Sequence, residues 1–242
     1  MKLAIIGDPV DHSRSPRIHR EFLREAHIDG SYDAIRVPLV NCVEVIRRMR
    51  IDDYFGCNVT TPLKEEAVRA CDVLTDHAQR AGAVNTILFG MEILGTNTDG
   101  IGARIALETL LDEPVALKRI GVLGTGSTAR AILAELSDND AYTYVWGRSP
   151  ERIASCCNDF GAKLWPFDNP PELLISTLPP NTRLEDELIA SCLWADIVMD
   201  ANYGERSTLS RRLEREVVDG ALMLEAQARA SFDFWLSHYE PN

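Results

Sequence analysis

Short apolar runs recur along the chain with longer amphipathic stretches between them, an alternation that predicts strands and helices in succession. Residues 2–6 read as a buried strand running into Gly7-Asp8-Pro9-Val10-Asp11-His12-Ser13-Arg14-Ser15-Pro16, a loop crowded with turn formers. Ser15 before Pro16 predicts an N-cap with proline at the first helical position, opening a helix to about residue 26. A second strand is expected over 32–37, a helix over 41–49 and a third strand over 54–59, where Tyr54, Phe55, Cys57 and Val59 suit a buried pleat. Pro62 then fits the first turn of a helix continuing to Cys71, which places Lys64 in that turn. Residues 75–81 predict a further helix and 82–87 lead into a strand. Asp99 precedes the apolar-periodic run Ile101, Ile105, Leu107, Leu110 and Leu111, where a helix N-cap belongs.

From about Asp99 a second α/β unit begins. Residues 119–123 predict a strand, Gly124-Thr125-Gly126-Ser127-Thr128-Ala129 a glycine turn and 130–136 a helix. This G-x-G-x-x-A spacing between strand and helix fits a dinucleotide pyrophosphate, because glycines let the backbone approach phosphate at a helix N-terminus. The next strand, 142–146, ends in Gly147-Arg148-Ser149-Pro150-Glu151-Arg152, at the distance where a ribose-reading residue belongs. An NAD site would place Asp or Glu there; Arg148 and Arg152 instead offer guanidinium groups to a 2′-phosphate, which favours NADP. The plainer alternative is two arginines on a solvated helix start. Strands over 173–177 and 196–199 follow, the first with the loop Leu178-Pro179-Pro180 after it and the second ending in Asp200-Ala201-Asn202-Tyr203. A long amphipathic helix is predicted over 221–239, with Leu222, Leu224, Ala228, Phe232 and Trp235 on its apolar face. There is no internal repeat and no low-complexity tract.

The 242 residues are enough for one large or two modest domains, and 45% hydrophobic with 26% charged residues is ordinary for a globular chain. A net charge of −12 argues against general nucleic-acid or membrane-surface binding, so an anionic ligand must be met by a local cluster of donors. Cys42, Cys57, Cys71, Cys156, Cys157 and Cys192 lack metal-knuckle spacing, and the adjacent pair is poor disulfide geometry. Reduced thiols in a cytoplasmic protein without a metal are the expectation. No signal-peptide h-region and no apolar run of bilayer length occur.

Several polar residues stand out against this frame. Lys64 in a first helical turn would have its amine pKa lowered by the helix dipole, a poised group, though a surface lysine at a strand-to-helix junction is the plainer reading. Ser13 and Ser15 at a helix start either bind a carboxylate or serve as turn and cap. Asn85, inside an apolar strand, is a buried amide that must find partners in the sheet or in a substrate. Asp99 either caps its helix or faces Lys64, and Gln227 is either solvated or a ligand contact.

Together these pieces resemble the shikimate dehydrogenase family over most of the chain. The resemblance rests on 7–16 with His19, 56–64 (Gly56-Cys57-Asn58-Val59-Thr60-Thr61-Pro62-Leu63-Lys64), Gly82-Ala83-Val84-Asn85-Thr86, Gly95-Thr96-Asn97-Thr98-Asp99-Gly100, the turn at Gly124, and Met223-Leu224-Glu225-Ala226-Gln227-Ala228 followed by Ser231-Phe232. It implies an α/β chain of two domains. Residues 1–99 and 221–242 would form an α/β substrate domain, to which the C-terminal helix returns, and 100–220 a Rossmann-type NADP domain. It implies further that Ser13 and Ser15 hold the shikimate carboxylate with Tyr203 nearby, that Asn58, Thr60, Asn85 and Gln227 bind ring hydroxyls, and that Lys64 and Asp99 are the catalytic pair. Gly124, Gly126, Ser127, Thr128, Ala129, Arg148, Ser149 and Arg152 would bind NADP. The implied reaction is the reversible NADPH-dependent reduction of 3-dehydroshikimate to shikimate in aromatic amino-acid biosynthesis, by a monomer or homodimer. The alternatives are a quinate or aminoshikimate dehydrogenase, or a ligand-sensing protein on the same scaffold. Three departures bear on the cofactor side: Ser176-Thr177-Leu178-Pro179-Pro180 in place of an Asn-Ala-Thr-Pro-like loop, Glu205 where a proline usually follows the tyrosine, and Gly147 for the common asparagine.

Overall fold

Strand and helix alternate as the apolar pattern requires, and they gather into two sheets, each with its own core. The structure, a computed structural model, describes residues 1–240. In chain order the elements are β1 (Lys2–Gly7), α1 (Ser15–Glu25), β2 (Ser31–Arg36), α2 (Cys42–Ile51), β3 (Gly56–Val59), β4 (Val73–Leu74), α3 (Asp76–Ala81), β5 (Thr86–Phe89) and β6 (Ile93–Thr96). They continue with α4 (Asp99–Leu111), β7 (Arg119–Leu123), α5 (Ser127–Asp138), β8 (Tyr142–Trp146), α6 (Pro150–Phe160), β9 (Lys163–Leu164), β10 (Leu173–Ser176), α7 (Asp186–Cys192), β11 (Ile197–Asp200), α8 (Leu209–Leu213) and α9 (Ala221–Leu236). Two compact units result: Met1–Asp99 with the segment from Gln227 onward, and Gly100–Ala226. The boundary falls inside α9.

The first unit holds a six-stranded sheet in the order β2-β1-β3-β5-β6-β4. β1 runs parallel to both β2 and β3, whereas β5 is antiparallel to β3 and to β6. Leu3 and Ile5 of β1 pack in one cluster with Phe22, Leu23, Tyr32, Ala228, Phe232 and Trp235, while Ala4 and Ile6 pack in another with Ile46, Met49, Val59, Leu63 and Ile87. Successive residues of β1 thus serve two cores, because neighbouring side chains of a strand leave opposite faces. Burying both faces is what the unbroken apolar run predicts.

The second unit holds a five-stranded parallel sheet in the order β11-β10-β7-β8-β9. The chain starts in the middle at β7, winds outward through β8 and β9, then crosses back to β10 and β11. This is the doubly wound arrangement whose switch point lies between its first and fourth strands. Ile120, Val122, Ile132, Val145, Leu173 and Ile175 lie in the core cluster that α5 shares with the sheet.

Four local expectations are corrected. Ser15 is not the N-cap of α1 but its first residue, and its N–H donates to Ser13 Oγ at 3.2 Å, because Arg14 already takes the helical conformation. Pro62 does not open an α-helix. The Thr61–Pro62 peptide is cis, Leu63 N–H donates to Thr60 O at 2.9 Å, and a short 3-10 segment, Glu66–Ala70, follows. Lys64 therefore sits in a turn, and the helix-dipole argument for its amine does not apply. Asp99 begins α4 and its N–H donates to Asn97 Oδ1 at 3.0 Å, so Asn97 does the capping. On α9 the buried residue of the first turn is Met223, with Leu222 at the exposed margin. The short strands β4 and β9, β6, and the helices α7 and α8 have no counterpart in the apolar pattern read above.

Candidate active site

Sheet topology collects the polar residues of the first unit on one edge. β3 ends at Val59, β6 ends at Thr96, and antiparallel β5 begins at Thr86, so these three ends coincide; the register pairs Asn58 with Thr86 and Thr86 with Thr96. Residues just beyond them, Thr60 to Lys64, Asn85, and Asn97 to Asp99, must emerge together. β1 runs parallel to β3 and delivers the Ser13–Ser15 loop to the same edge.

There Lys64 Nζ donates to Asp99 Oδ2 at 2.5 Å, the two side chains being 13% and 6% exposed. A pair this well buried is held by geometry and further hydrogen bonds, since its charges have lost most of their water. The other carboxylate oxygen, Asp99 Oδ1, accepts from Asn85 Nδ2 at 2.8 Å. Asn85 Oδ1 in turn accepts from Thr98 N–H and from the Thr86 hydroxyl, both at 2.9 Å. The backbone N–H can only donate, which fixes the orientation of the Asn85 amide. Asn58 is equally committed: its Oδ1 accepts from the Tyr32 phenol at 2.6 Å, and its Nδ2 lies 3.1 Å from Asn85 O, Thr86 Oγ1 and Ser231 Oγ. Burial pushes the Tyr32 phenol well above its ordinary value, so it is present as a donor. Gln227 joins through Oε1, 3.4 Å from Asn85 Nδ2, and through its carbonyl, which accepts from Thr98 Oγ1 at 3.0 Å.

Ser15 is buried, while Ser13 is half-buried. Thr60 is half-buried, its N–H donating to Ile6 O at 2.9 Å. His19 is fully buried, its ring stacked on Tyr32 at 4.5 Å with an interplanar angle of 3°. Neither ring nitrogen has a hydrogen-bond partner among the described residues. Burial, with help from the Arg229 guanidinium, lowers its pKa to about 3 and keeps the ring neutral.

In the second unit the glycine turn leaves β7 at the switch point. Gly124 has φ +121°, and a Cβ there would fall 2.3 Å from Thr177 Oγ1, so only glycine fits. Gly126 caps α5 in extended conformation without a side-chain hydrogen bond, and open space lies where its Cβ would be. Ser127 and Thr128 are half-buried in the first turn and Ala129 is buried beneath them. A helix start with no side chain at its cap is the kind of place a pyrophosphate occupies. Arg148 and Arg152 are exposed, and Ser149 caps α6 by accepting from Arg152 N–H at 3.3 Å. These residues fit an NADP molecule. Tyr203 also belongs to this unit, in the loop after β11. Buried Asp200 organises that loop, accepting from Asn202 Nδ2 at 2.8 Å and from the Ser207 hydroxyl at 3.2 Å. Asn202 Nδ2 also donates to Leu178 O at 2.9 Å, so the unusual 176–180 loop is tied to the Tyr203 loop.

Thr86, Asn97, Thr98 and Ser231 enter the sequence reading only as parts of the family motifs and Tyr32 only as the start of a strand; none of them is given a role there. The spacing of Ser231 four residues after Gln227, between the apolar Ala228, Phe232 and Trp235, marks both as inward-facing and was the available signal. The six thiols form no disulfide, and burial raises Cys42 to about 11 and Cys71 and Cys192 to about 12, so they are packing groups. Among the described residues no group of three or more His, Cys, Asp or Glu could hold a metal ion, and no helix is long and apolar enough to cross a membrane.

Residues 5–87 match the family model described as the shikimate dehydrogenase substrate binding domain. The chain is 33% identical to the shikimate dehydrogenase (NADP(+)) of Methanothrix thermoacetophila, with 98% of this chain and 92% of that protein covered. It is 35% identical to the protein of the same name from Thioalkalivibrio sulfidiphilus, over 97% and 92% of the two chains. Among solved structures, the shikimate 5-dehydrogenase of Thermus thermophilus in complex with NADP(H) and shikimate superposes with a TM-score of 0.83 at 28% identity, covering 100% of this chain and 95% of that one.

Proposed function

The chain belongs to the shikimate dehydrogenase family, and from that membership we propose that it catalyses the reversible NADPH-dependent reduction of 3-dehydroshikimate to shikimate, with Lys64 and Asp99 as the catalytic pair. It is an NADP-linked oxidoreductase, and the reaction belongs to aromatic amino-acid biosynthesis. The observation that carries the assignment of the pair is the 2.5 Å contact between Lys64 Nζ and Asp99 Oδ2, with Asn85 fastening the other carboxylate oxygen.

When bound, NADPH supplies the hydride that reduces the ketone. Lys64 gives a proton to the substrate oxygen as it gains alkoxide character, and in the reverse direction takes it back from the alcohol. Asp99 orients the amine and helps to bind the same hydroxyl. Asn58, Thr60, Asn85 and Gln227 bind ring hydroxyls, and the hydroxyls of Ser13 and Ser15 take the carboxylate. The N–H groups at Gly126 to Ala129 hold the pyrophosphate, while Arg148 and Arg152 hold the 2′-phosphate.

The test is NADPH oxidation with 3-dehydroshikimate beside 3-dehydroquinate and the amino analogue, run on the wild type and on Lys64→Ala. Turnover is expected with 3-dehydroshikimate. Removing the amine should lower kcat by at least ~100-fold, as losing a positioned acid does, and leave NADPH affinity unchanged. A variant with wild-type turnover removes Lys64 from the mechanism, and a wild type that binds the acid in calorimetry but consumes no NADPH turns the reading into ligand sensing.

A further inference from the structure

The Ser231 hydroxyl lies at the centre of the buried network yet has no part in the mechanism above. It is fully buried on α9 and has four polar neighbours: Thr86 Oγ1 at 2.7 Å, Asn58 Nδ2 at 3.1 Å, Thr98 Oγ1 at 3.1 Å and its own helix's Gln227 O at 3.0 Å. The other groups come from the sheet edge, so this one hydroxyl joins the helix to all three of them.

Donor and acceptor roles give the network a direction. The Tyr32 phenol donates to Asn58 Oδ1, which turns Asn58 Nδ2 toward Thr86 and Ser231. The Thr86 hydroxyl donates to Asn85 Oδ1, and Asn85 Nδ2 donates to Asp99 Oδ1. Lys64 donates to the opposite oxygen. Every step points to the Asp99 carboxylate, which as an ionised group only accepts. Ser231 holds the middle of this chain in place: it accepts from Asn58, gives its single proton to Thr86, whose own proton goes to Asn85, and lies 3.1 Å from Thr98 Oγ1 and 3.0 Å from the Gln227 carbonyl one turn earlier.

We propose that Ser231 is a positioning residue: its hydroxyl holds the Asn58 amide directly, in the orientation Tyr32 gives it, and braces Asn85 and Gln227 through Thr86 and Thr98. The proposal rests on the function given above, because it concerns how the substrate-binding amides of that reaction are held. Without the hydroxyl each neighbour retains another partner. Asn58 Nδ2 keeps Asn85 O, Thr86 keeps Asn85 Oδ1, and Thr98 keeps the Gln227 carbonyl. The protein should therefore fold with its amides loosened, since a buried network that loses a member tends to reorient.

The experiment compares wild type, Ser231→Ala and Ser231→Cys by steady-state kinetics with 3-dehydroshikimate and NADPH varied separately. In Ser231→Ala the KM for 3-dehydroshikimate should rise about tenfold, the scale of one or two weakened neutral hydrogen bonds, while the KM for NADPH stays at the wild-type value. Ser231→Cys keeps the side-chain shape and a weak S–H donor in a slightly larger group and should recover part of the loss. A purely structural role would lower the active fraction, and so kcat, with both KM values unchanged; that result overturns the proposal. If Ser231→Ala does not fold, Ser231→Cys against wild type decides by the same criterion. A wild type inactive on 3-dehydroshikimate is a different failure, which removes the functional reading and the proposal with it.

Discussion

Lowering the pH should destabilise the first unit through His19, and replacing that ring should remove the effect. Burial sets the sign. The folded value of about 3 lies below the ordinary 6.5, so between them the unfolded chain binds a proton that the native state refuses. The stabilising contribution of the neutral ring is complete above the unfolded value and is lost as pH falls from there toward the folded one. Each pH unit inside the window costs about tenfold in the folding equilibrium, and going from about pH 7.5 to about pH 5 should cost about 2 kcal/mol from this residue alone. Carboxylates titrate over part of the same range, so wild type must be compared with a variant. His19→Phe keeps a ring stacked on Tyr32 and edge-on to Phe22, and it removes two nitrogens that have no hydrogen-bond partner among the described residues. Urea titrations followed by hydrogen exchange in peptides of β1 and the C-terminal part of α9 report on this unit alone. Wild type should lose about 2 kcal/mol more than His19→Phe across that step. Parallel stability curves for the two proteins would refute the argument, because the ring would then be as easily protonated folded as unfolded.

Two further substitutions test the second unit. Arg148→Ala should lower kcat/KM for NADPH roughly ten- to a hundredfold, the range of a lost charge-assisted hydrogen bond, and leave the NADH value unchanged; equal losses with both cofactors would reject the 2′-phosphate assignment. Gly124→Ala forces a Cβ against Thr177 Oγ1 at a backbone angle side chains avoid, so thermal denaturation should show a loss of about 1–3 kcal/mol together with weaker NADPH binding, and a wild-type Tm would contradict the account of that turn.

The alternation of strands and helices was legible because burial on both faces of a parallel sheet leaves continuous apolar runs, as at β1, β7 and β10. What escaped was short or locally ambiguous. β4 and β9 have two residues each, too few for any periodicity. At Pro62 the sequence was compatible with two outcomes, since proline suits both a first helical turn and the third position of a tight turn with a cis bond, and only the surroundings choose. The misreading of Pro62 extends to Lys64: the helix terminus expected beneath it is absent, and its Nζ meets Asp99 Oδ2 instead.

The candidate site divides the same way. Asn85 is legible from the sequence, because a polar group inside an apolar strand must find partners, whereas Asn58 gains a binding role only from the resemblance and Lys64 and Asp99 stand out through a helix start and a cap position. Which partners they find, and in which direction the protons point, depends on residues far away: Ser231 lies 173 positions from Asn58, and Thr98 lies 129 from Gln227. Register makes the link, since pairing Asn58 with Thr86 and Thr86 with Thr96 places three strand ends at one edge. A slip of one residue in β5 would turn Thr86 to the opposite face and leave Asn58 and Asn85 with nothing between them. The polar network is thus a consequence of the same register that buries Ile87, and substitutions that disturb either one should be felt by the other.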